Sequence, residues 1–222
     1  MKSEYKDYGF TNADPTHMHQ HFMPAVISLA EQNAPGTDGR SENGQGLQGK
    51  RVLDVGCGNG FTCGEFLKRG CVVVGIDLGK QGVIQARKAY PQGRFDVLPA
   101  DELILEHLGE EPFDIVVSTE VVEHLYDPKS YAHGCFVALK PGGRFLCTTP
   151  YHGYLKNLAL SLAGKWDSHA NPLWDGGHIK LWSKKTLFRL LAETGFTNLQ
   201  FRGIGRFPYL WMTMLVSGIK PG

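Results

Sequence analysis

A chain of 222 residues, 42% of them hydrophobic, has material for one domain with decorations or at most two small ones. Its 23 Lys and Arg balance 22 Asp and Glu to a net charge of +1, so no broad basic field points to a nucleic-acid backbone as partner. Five cysteines, odd in number and without a Cys-x-x-Cys pair, predict free thiols in a reducing cytoplasm. The opening residues carry both charge signs and do not read as a signal peptide. No run of about 18 apolar residues predicts a membrane span.

In chain order, residues 17–32 read as a helix whose start Pro24 leaves open, and residues 33–49, rich in Gly, Ser, Asn and Gln, as a flexible connection. A regular alternation follows. Residues 51–55 form a short apolar strand, 61–69 a helix stopped by Gly70, and 71–76 a β-branched run expected to be buried on both faces. Helix 81–90, weak strand 94–98, short helix 102–108 and buried strand 113–118 come next. Helix 128–139 is closed by Lys140-Pro141-Gly142-Gly143 and followed by strand 144–149. Residues 151–180 break the rhythm. Residues 183–194 form an amphipathic helix with Ser183 as N-cap and Gly195 as C-cap. Segments 196–203 and 209–219 close the chain as two strands. Strands alternating with helices imply an α/β fold, a parallel sheet covered on both faces, and two final strands with no helix between them imply an antiparallel edge.

The first strand ends in Leu53-Asp54-Val55-Gly56-Cys57-Gly58-Asn59-Gly60, where glycines let the backbone turn and approach a ligand. Phe61 stands where a dinucleotide fingerprint needs a third glycine, so a smaller nucleoside with an amino-acid tail fits better than a pyrophosphate. The second strand ends in Asp77, placed to accept hydrogen bonds from ribose hydroxyls. The stretch Val52-Leu53-Asp54-Val55-Gly56-Cys57-Gly58-Asn59-Gly60 resembles motif I of class I S-adenosylmethionine (SAM)-dependent methyltransferases, and the likeness covers residues 50–205. It implies a Rossmann-like sheet of seven strands, mostly parallel, with helices on both faces and a reversed last strand at an antiparallel edge. It implies SAM as cofactor, with Asp54, Gly56, Cys57, Gly58, Asp77, Leu78, Ala100, Asp101, Thr119 and Glu120 around it. Asp77 matches the ribose-binding acid, Asp54 and Gly56 face the methionine part, and Ala100-Asp101 falls at the adenine, although Pro99 departs from the common pattern there.

After the fourth strand, Glu120, Glu123 and His124 fall at i, i+3 and i+4, which one helical turn would put on one face. Solvated acids at a helix start explain the same pattern. The later Gly177-His178-Ile179-Lys180-Leu181-Trp182, paired with Glu120-Val121-Val122-Glu123-His124, resembles two methyltransferase groups: the O-methyltransferases of ubiquinone biosynthesis and the small-RNA 3′-terminal 2′-O-methyltransferases. That resemblance implies a divalent cation, Mg²⁺ or Mn²⁺, held by Glu120, Glu123, His124 and His178 beside the accepting hydroxyl; without a metal, His124 or His178 serves as general base.

Residues 154–166 carry Leu155, Leu158 and Leu162 on one helical face, either packed on the domain or forming a lid over a hydrophobic acceptor with weak, reversible membrane contact. His152 is a candidate to line the acceptor pocket, and Tyr5, Tyr8 and Phe10 to help close the site. The expected organisation is an N-terminal helical extension and connection at 1–49, then a SAM-binding domain at 50–222 with a lid at 151–180. The leading expectation is a cytoplasmic O-methyltransferase acting on a small aromatic or quinol-type hydroxyl, with nucleic acid not expected as partner. An RNA-terminal 2′-O-methyltransferase and a non-catalytic SAM-binding protein are the alternatives. Oligomeric state is not legible.

Overall fold

The computed structural model describes residues 8–32, 46–171, 173–174 and 176–222. Residues 33–45 of the expected connection at 33–49, and Tyr5, lie outside the described residues. Seven strands form one sheet in the order β3-β2-β1-β4-β5-β7-β6. They are β1 (Arg51–Val55), β2 (Val72–Asp77), β3 (Arg94–Val97), β4 (Phe113–Thr119), β5 (Leu139–Pro150), β6 (Thr197–Ile204) and β7 (Thr213–Ile219). The pairs from β3 through β5 are parallel; β7 runs antiparallel to both β5 and β6. The reversed strand is thus β7, one in from the edge, as the missing helix between the last two strands requires.

The helices are α1 (His19–Ala30), α2 (Phe61–Leu67), α3 (Lys80–Ala89), α4 (Ile104–Leu108), α5 (Pro128–Val137), α6 (Tyr154–Leu162), α7 (Trp166–His169) and α8 (Lys184–Thr194). Strand side chains alternate between two cores. Leu53, Val55, Val116, Phe145 and Met214 pack with α4, α5 and α8. Val52, Ile115, Val117, Leu146 and Leu215 pack with α1, α2 and α3 on the other face. Helix α1 belongs to this second layer, with Phe22 and Val26 fully buried.

Several boundaries differ from expectation for local reasons. Helix α1 runs through Pro24, five residues into the helix, and starts where Thr16 Oγ1 meets His19 Nδ1 at 2.7 Å. Val72, expected to be buried, is 53% exposed at the open end of β2. Lys140-Pro141-Gly142-Gly143 belongs to β5, because Leu139 pairs with Phe113 and the Gly142 N–H donates to the Lys220 carbonyl across to β7. The final strand begins only at Thr213; before it the chain turns through Arg206 and Tyr209, both at positive φ. Helix α8 carries the expected cap: the Ser183 side chain accepts from the Thr186 N–H, Thr186 answers at the Ser183 N–H, and Gly195 ends the helix at φ 113°.

Candidate functional site

The carboxyl ends of β1, β2 and β4 meet at one cleft. The Gly56 and Cys57 N–H groups both donate to the Ile76 carbonyl, at 2.8 and 2.9 Å, folding the loop after β1 against the end of β2. Gly56 sits at φ 81°, and a side chain there would collide with Val121. Asp77 Oδ2 accepts the Gly58 N–H at 2.9 Å and Oδ1 the Gly79 N–H at 2.6 Å, so two backbone donors fix the carboxylate. Asp54 is fully buried; its Oδ2 accepts the Cys63 thiol at 3.2 Å and its Oδ1 has no partner. Burial lifts this acid to about 7, with the nearby Asp77 charge adding to the rise. An unfilled buried carboxylate oxygen calls for a cationic N–H donor, as the amino group of an amino-acid tail supplies.

The other expected cofactor residues divide. Leu78 is exposed beside Asp77, and Ala100 packs against the α4–α5 core. Asp101 Oδ1 accepts the Leu103 N–H at 2.9 Å, capping the turn into α4. The Cys57 side chain packs over Gly75, turned inward, so its backbone is what faces the loop. Thr119 ends β4 at the cleft.

A strap from the N-terminus closes over this loop. The Phe10 ring lies against Gly58, and Asn59 Nδ2 donates to the Asn12 and Asp14 carbonyls at 3.0 and 2.9 Å. Asn59 had no assigned role in the sequence; its partners lie more than forty positions away, beyond any local signal.

The residues after β4 do not form the expected helical face. Glu120 has φ 57°, a left-handed conformation uncommon outside glycine, and only Val122–His124 make a 3₁₀ turn. Glu120 Oε1 accepts the Thr213 hydroxyl at 2.8 Å, and burial raises its acid. Glu123, His124 and His178 do come together, each offering a ligand atom within 4.8 Å of the others. Two backbone bonds join the motifs, from the Ile179 and Lys180 N–H groups to the Glu123 carbonyl at 3.0 Å each, and the Trp182 indole N–H donates to the Val122 carbonyl at 3.2 Å.

Glu123 is buried. Its Oε2 accepts the Thr149 hydroxyl at 2.8 Å, and Oε1 has no hydrogen-bond partner, 3.9 Å from His124 Nε2. Burial, reinforced by the Glu120 charge, pushes its acid well above the carboxylate range. His124 Nδ1 lies 2.7 Å from the Gly176 carbonyl, which can only accept; Nδ1 therefore carries the hydrogen and Nε2 keeps its lone pair. Burial lowers the His124 pKa and brings His178, which also feels the His124 charge, down to about 4. Both imidazoles are neutral at neutral pH, the form that binds metals. The Tyr8 hydroxyl stands 3.1 Å from both His124 ring nitrogens, extending the strap over this cluster.

Of the two readings of the leucine face, burial against the domain does not hold: Leu155 and Leu158 of α6 are half-exposed and Leu162 is 81% exposed. The buried residue of α6 is Lys156, whose Nζ donates to the Met212 carbonyl at 3.3 Å. His152 is buried, its ring stacked parallel to Trp166 and edge-on to His169.

The family profile described as a methyltransferase domain matches residues 19–201. The ubiquinone biosynthesis O-methyltransferase of Aliivibrio fischeri strain MJ11 is 32% identical over 170 residues, 76% of this chain and 71% of that protein. The protein of the same name from Klebsiella pneumoniae is 36% identical over 111 residues, about half of each chain (49% and 46%). Two solved structures share the fold: a chain from the complex of the Haloferax volcanii Trm112 methyltransferase activator with a methyltransferase (TM-score 0.65, 21% identity, 92% of each chain), and magnesium protoporphyrin IX methyltransferase from Synechocystis (0.61, 16% identity, 89% and 81%).

Proposed function

The chain belongs to the class I SAM-dependent methyltransferases, and from that premise we propose that it methylates a hydroxyl of a small aromatic, catechol- or quinol-type acceptor. The observation that carries the choice of oxygen is the Glu123–His124–His178 cluster, with an unpaired Glu123 Oε1, standing beside the cofactor cleft. The two sites are contiguous, since Val121, which leads into the 3₁₀ turn, packs directly on Gly56. The names of the relatives support the same acceptor atom.

In this reading Asp77 holds the ribose hydroxyls and Asp54 pairs with the amino group of the methionine part. When bound, SAM supplies an electrophilic methyl group, and a divalent cation supplies Lewis acidity at the accepting hydroxyl. Glu123, His124 and His178 would hold Mg²⁺ or Mn²⁺; Glu120, engaged by Thr213, borders the site rather than joining the cluster. The strap residues Tyr8 and Phe10 exclude water from both halves, and alignment of hydroxyl and methyl group provides most of the rate. The outward leucines of α6 support weak, peripheral membrane contact by the lid; among the described residues no helix is long and apolar enough to cross a membrane.

The test is incubation of the full chain with SAM and a panel of catechols and quinols, followed by product mass. A singly O-methylated catechol is the expected result. Methylation of amines or carbon acids in preference to every hydroxyl tried would overturn the choice of oxygen.

A further inference from the structure

A cavity of about 310 Å³ lies behind the lid, between α6 and the turn joining β6 to β7. Its walls are apolar, with Leu160, Phe207 and Leu210 among them, yet Lys156, Lys165 and Arg206 all line it. Among the described residues, none of these three cations has a carboxylate within ion-pair distance. Lys156 is buried while Lys165 and Arg206 are exposed, and an anion seated in the hollow would meet all three.

The helix is built to create this arrangement. α6 turns Leu155, Leu158 and Leu162 to solvent and buries Lys156, the reverse of the usual preference. Lys156 makes one hydrogen bond, leaving two N–H donors, and its burial together with Arg206 lowers its pKa to about 8. Arg206 is held at φ 57°, an uncommon backbone conformation for a non-glycine residue that the turn has to support. A short run of contacts links the cavity wall to Glu120. The carbonyl that Lys156 holds belongs to Met212, and the next residue, Thr213, touches Glu120 at 2.8 Å.

We propose that Lys156, Lys165 and Arg206 seat a carboxylate or phosphate group at the end of the acceptor remote from the hydroxyl that is methylated, with the apolar walls holding the adjoining part of its body. The volume suits a small-molecule subsite, which typically starts at about 300 Å³. This assignment rests on the reading of the chain as a methyltransferase with a hydroxyl acceptor, and it narrows that acceptor to an anionic amphiphile.

The test has a binding arm that does not need turnover. The full chain, saturated with S-adenosylhomocysteine, is titrated calorimetrically with decanoate, decyl phosphate and decanol, as wild type and as R206Q and K165Q. The anions are expected to bind about tenfold more tightly than decanol, and each variant to lose about tenfold for the anions only. Equal affinity for decanol, or anion affinity unchanged in both variants, overturns the proposal. Stronger R206Q-sensitive binding to phosphatidylglycerol vesicles than to free decyl phosphate also overturns it, assigning the cavity to a lipid headgroup. In the turnover arm, a dihydroxyphenylalkanoate is expected to show about a tenfold lower KM than its methyl ester, the two converging in R206Q. Equal KM values in the wild type overturn the acceptor assignment. If neither compound is methylated while the anions still bind, the hydroxyl-acceptor reading fails and the anion subsite stands.

Discussion

Asp77 and Asp54 are both carboxylates in the cofactor cleft, and their surroundings give them different tasks. Asp77 is pinned by two backbone N–H groups at the end of β2, in the place the proposed function gives to the ribose hydroxyls. Asp54 is buried with one oxygen unfilled and titrates near 7, so a cation beside it would restore its charge. Asp77→Ala removes charge-assisted bonds and is expected to weaken S-adenosylhomocysteine about 10- to 100-fold by calorimetry; unchanged affinity would remove Asp77 from the site. At Glu123 the sign is opposite to that of an ordinary surface acid. Burial and the Glu120 charge favour the protonated carboxyl in the empty site, so a cation bound there competes with that proton. Mn²⁺ titrations at pH 6.5 in buffers of different ionisation enthalpy are expected to show net proton release, smaller in Glu123→Gln; the same heat in every buffer would contradict this. The positions of Asp54 and Asp77 at strand ends were legible because each strand carries its own local period. The helical turn expected at Glu120 was not legible as the left-handed residue it is, whose side chain meets Thr213, 93 positions away. Lys156 and His169 gave no signal for the same reason: they become neighbours of the site only through the path of the lid.

At the level of elements, the alternation of strands and helices was legible because each strand carries its own period and each helix its own stop. Ser183 and Gly195 bound α8 as read. Ser183→Ala removes the cap and is expected to cost about 1 kcal/mol and lower Tm by about 2–4 °C, measured by thermal unfolding. Gly56→Ala is harsher, because φ 81° and the Val121 side chain leave no place for a methyl group. It is expected to abolish cofactor binding, and retained binding would mean the loop can be rebuilt. The lid was the least legible element. Its leucine spacing fixed a helix and could not say which face the domain covers, since that depends on a turn at Arg206–Tyr209 that periodicity does not encode.

Across the whole molecule, the two layers of helices leave the carboxyl ends of the strands open, and the N-terminal strap and the lid cover that opening from either side. The cover brings neutral imidazoles indoors. His19, His152 and His178 each fall from 6.5 to about 4, chiefly through burial. A folded-state pKa below the unfolded one favours the neutral ring in the fold. That stabilisation is complete above pH 6.5 and is lost as pH falls through the window toward 4. Tm is therefore expected to decline steadily from pH 6.5 to pH 4, less steeply in His152→Gln; a flat profile would mean these rings are not held neutral by the fold.

Methyl transfer to a hydroxyl beside a cation held by Glu123, His124 and His178 is tested most directly by one rate. Catechol O-methylation is followed at saturating SAM in wild type and His178→Ala, after chelation and again after Mg²⁺ or Mn²⁺ is restored. The wild type is expected to lose most of its rate on chelation and recover it with metal, while His178→Ala binds S-adenosylhomocysteine normally and turns over about 100-fold more slowly at equal metal. A rate indifferent to both chelator and His178 would contradict the cation site and leave the cleft a methyl-transfer site of another kind.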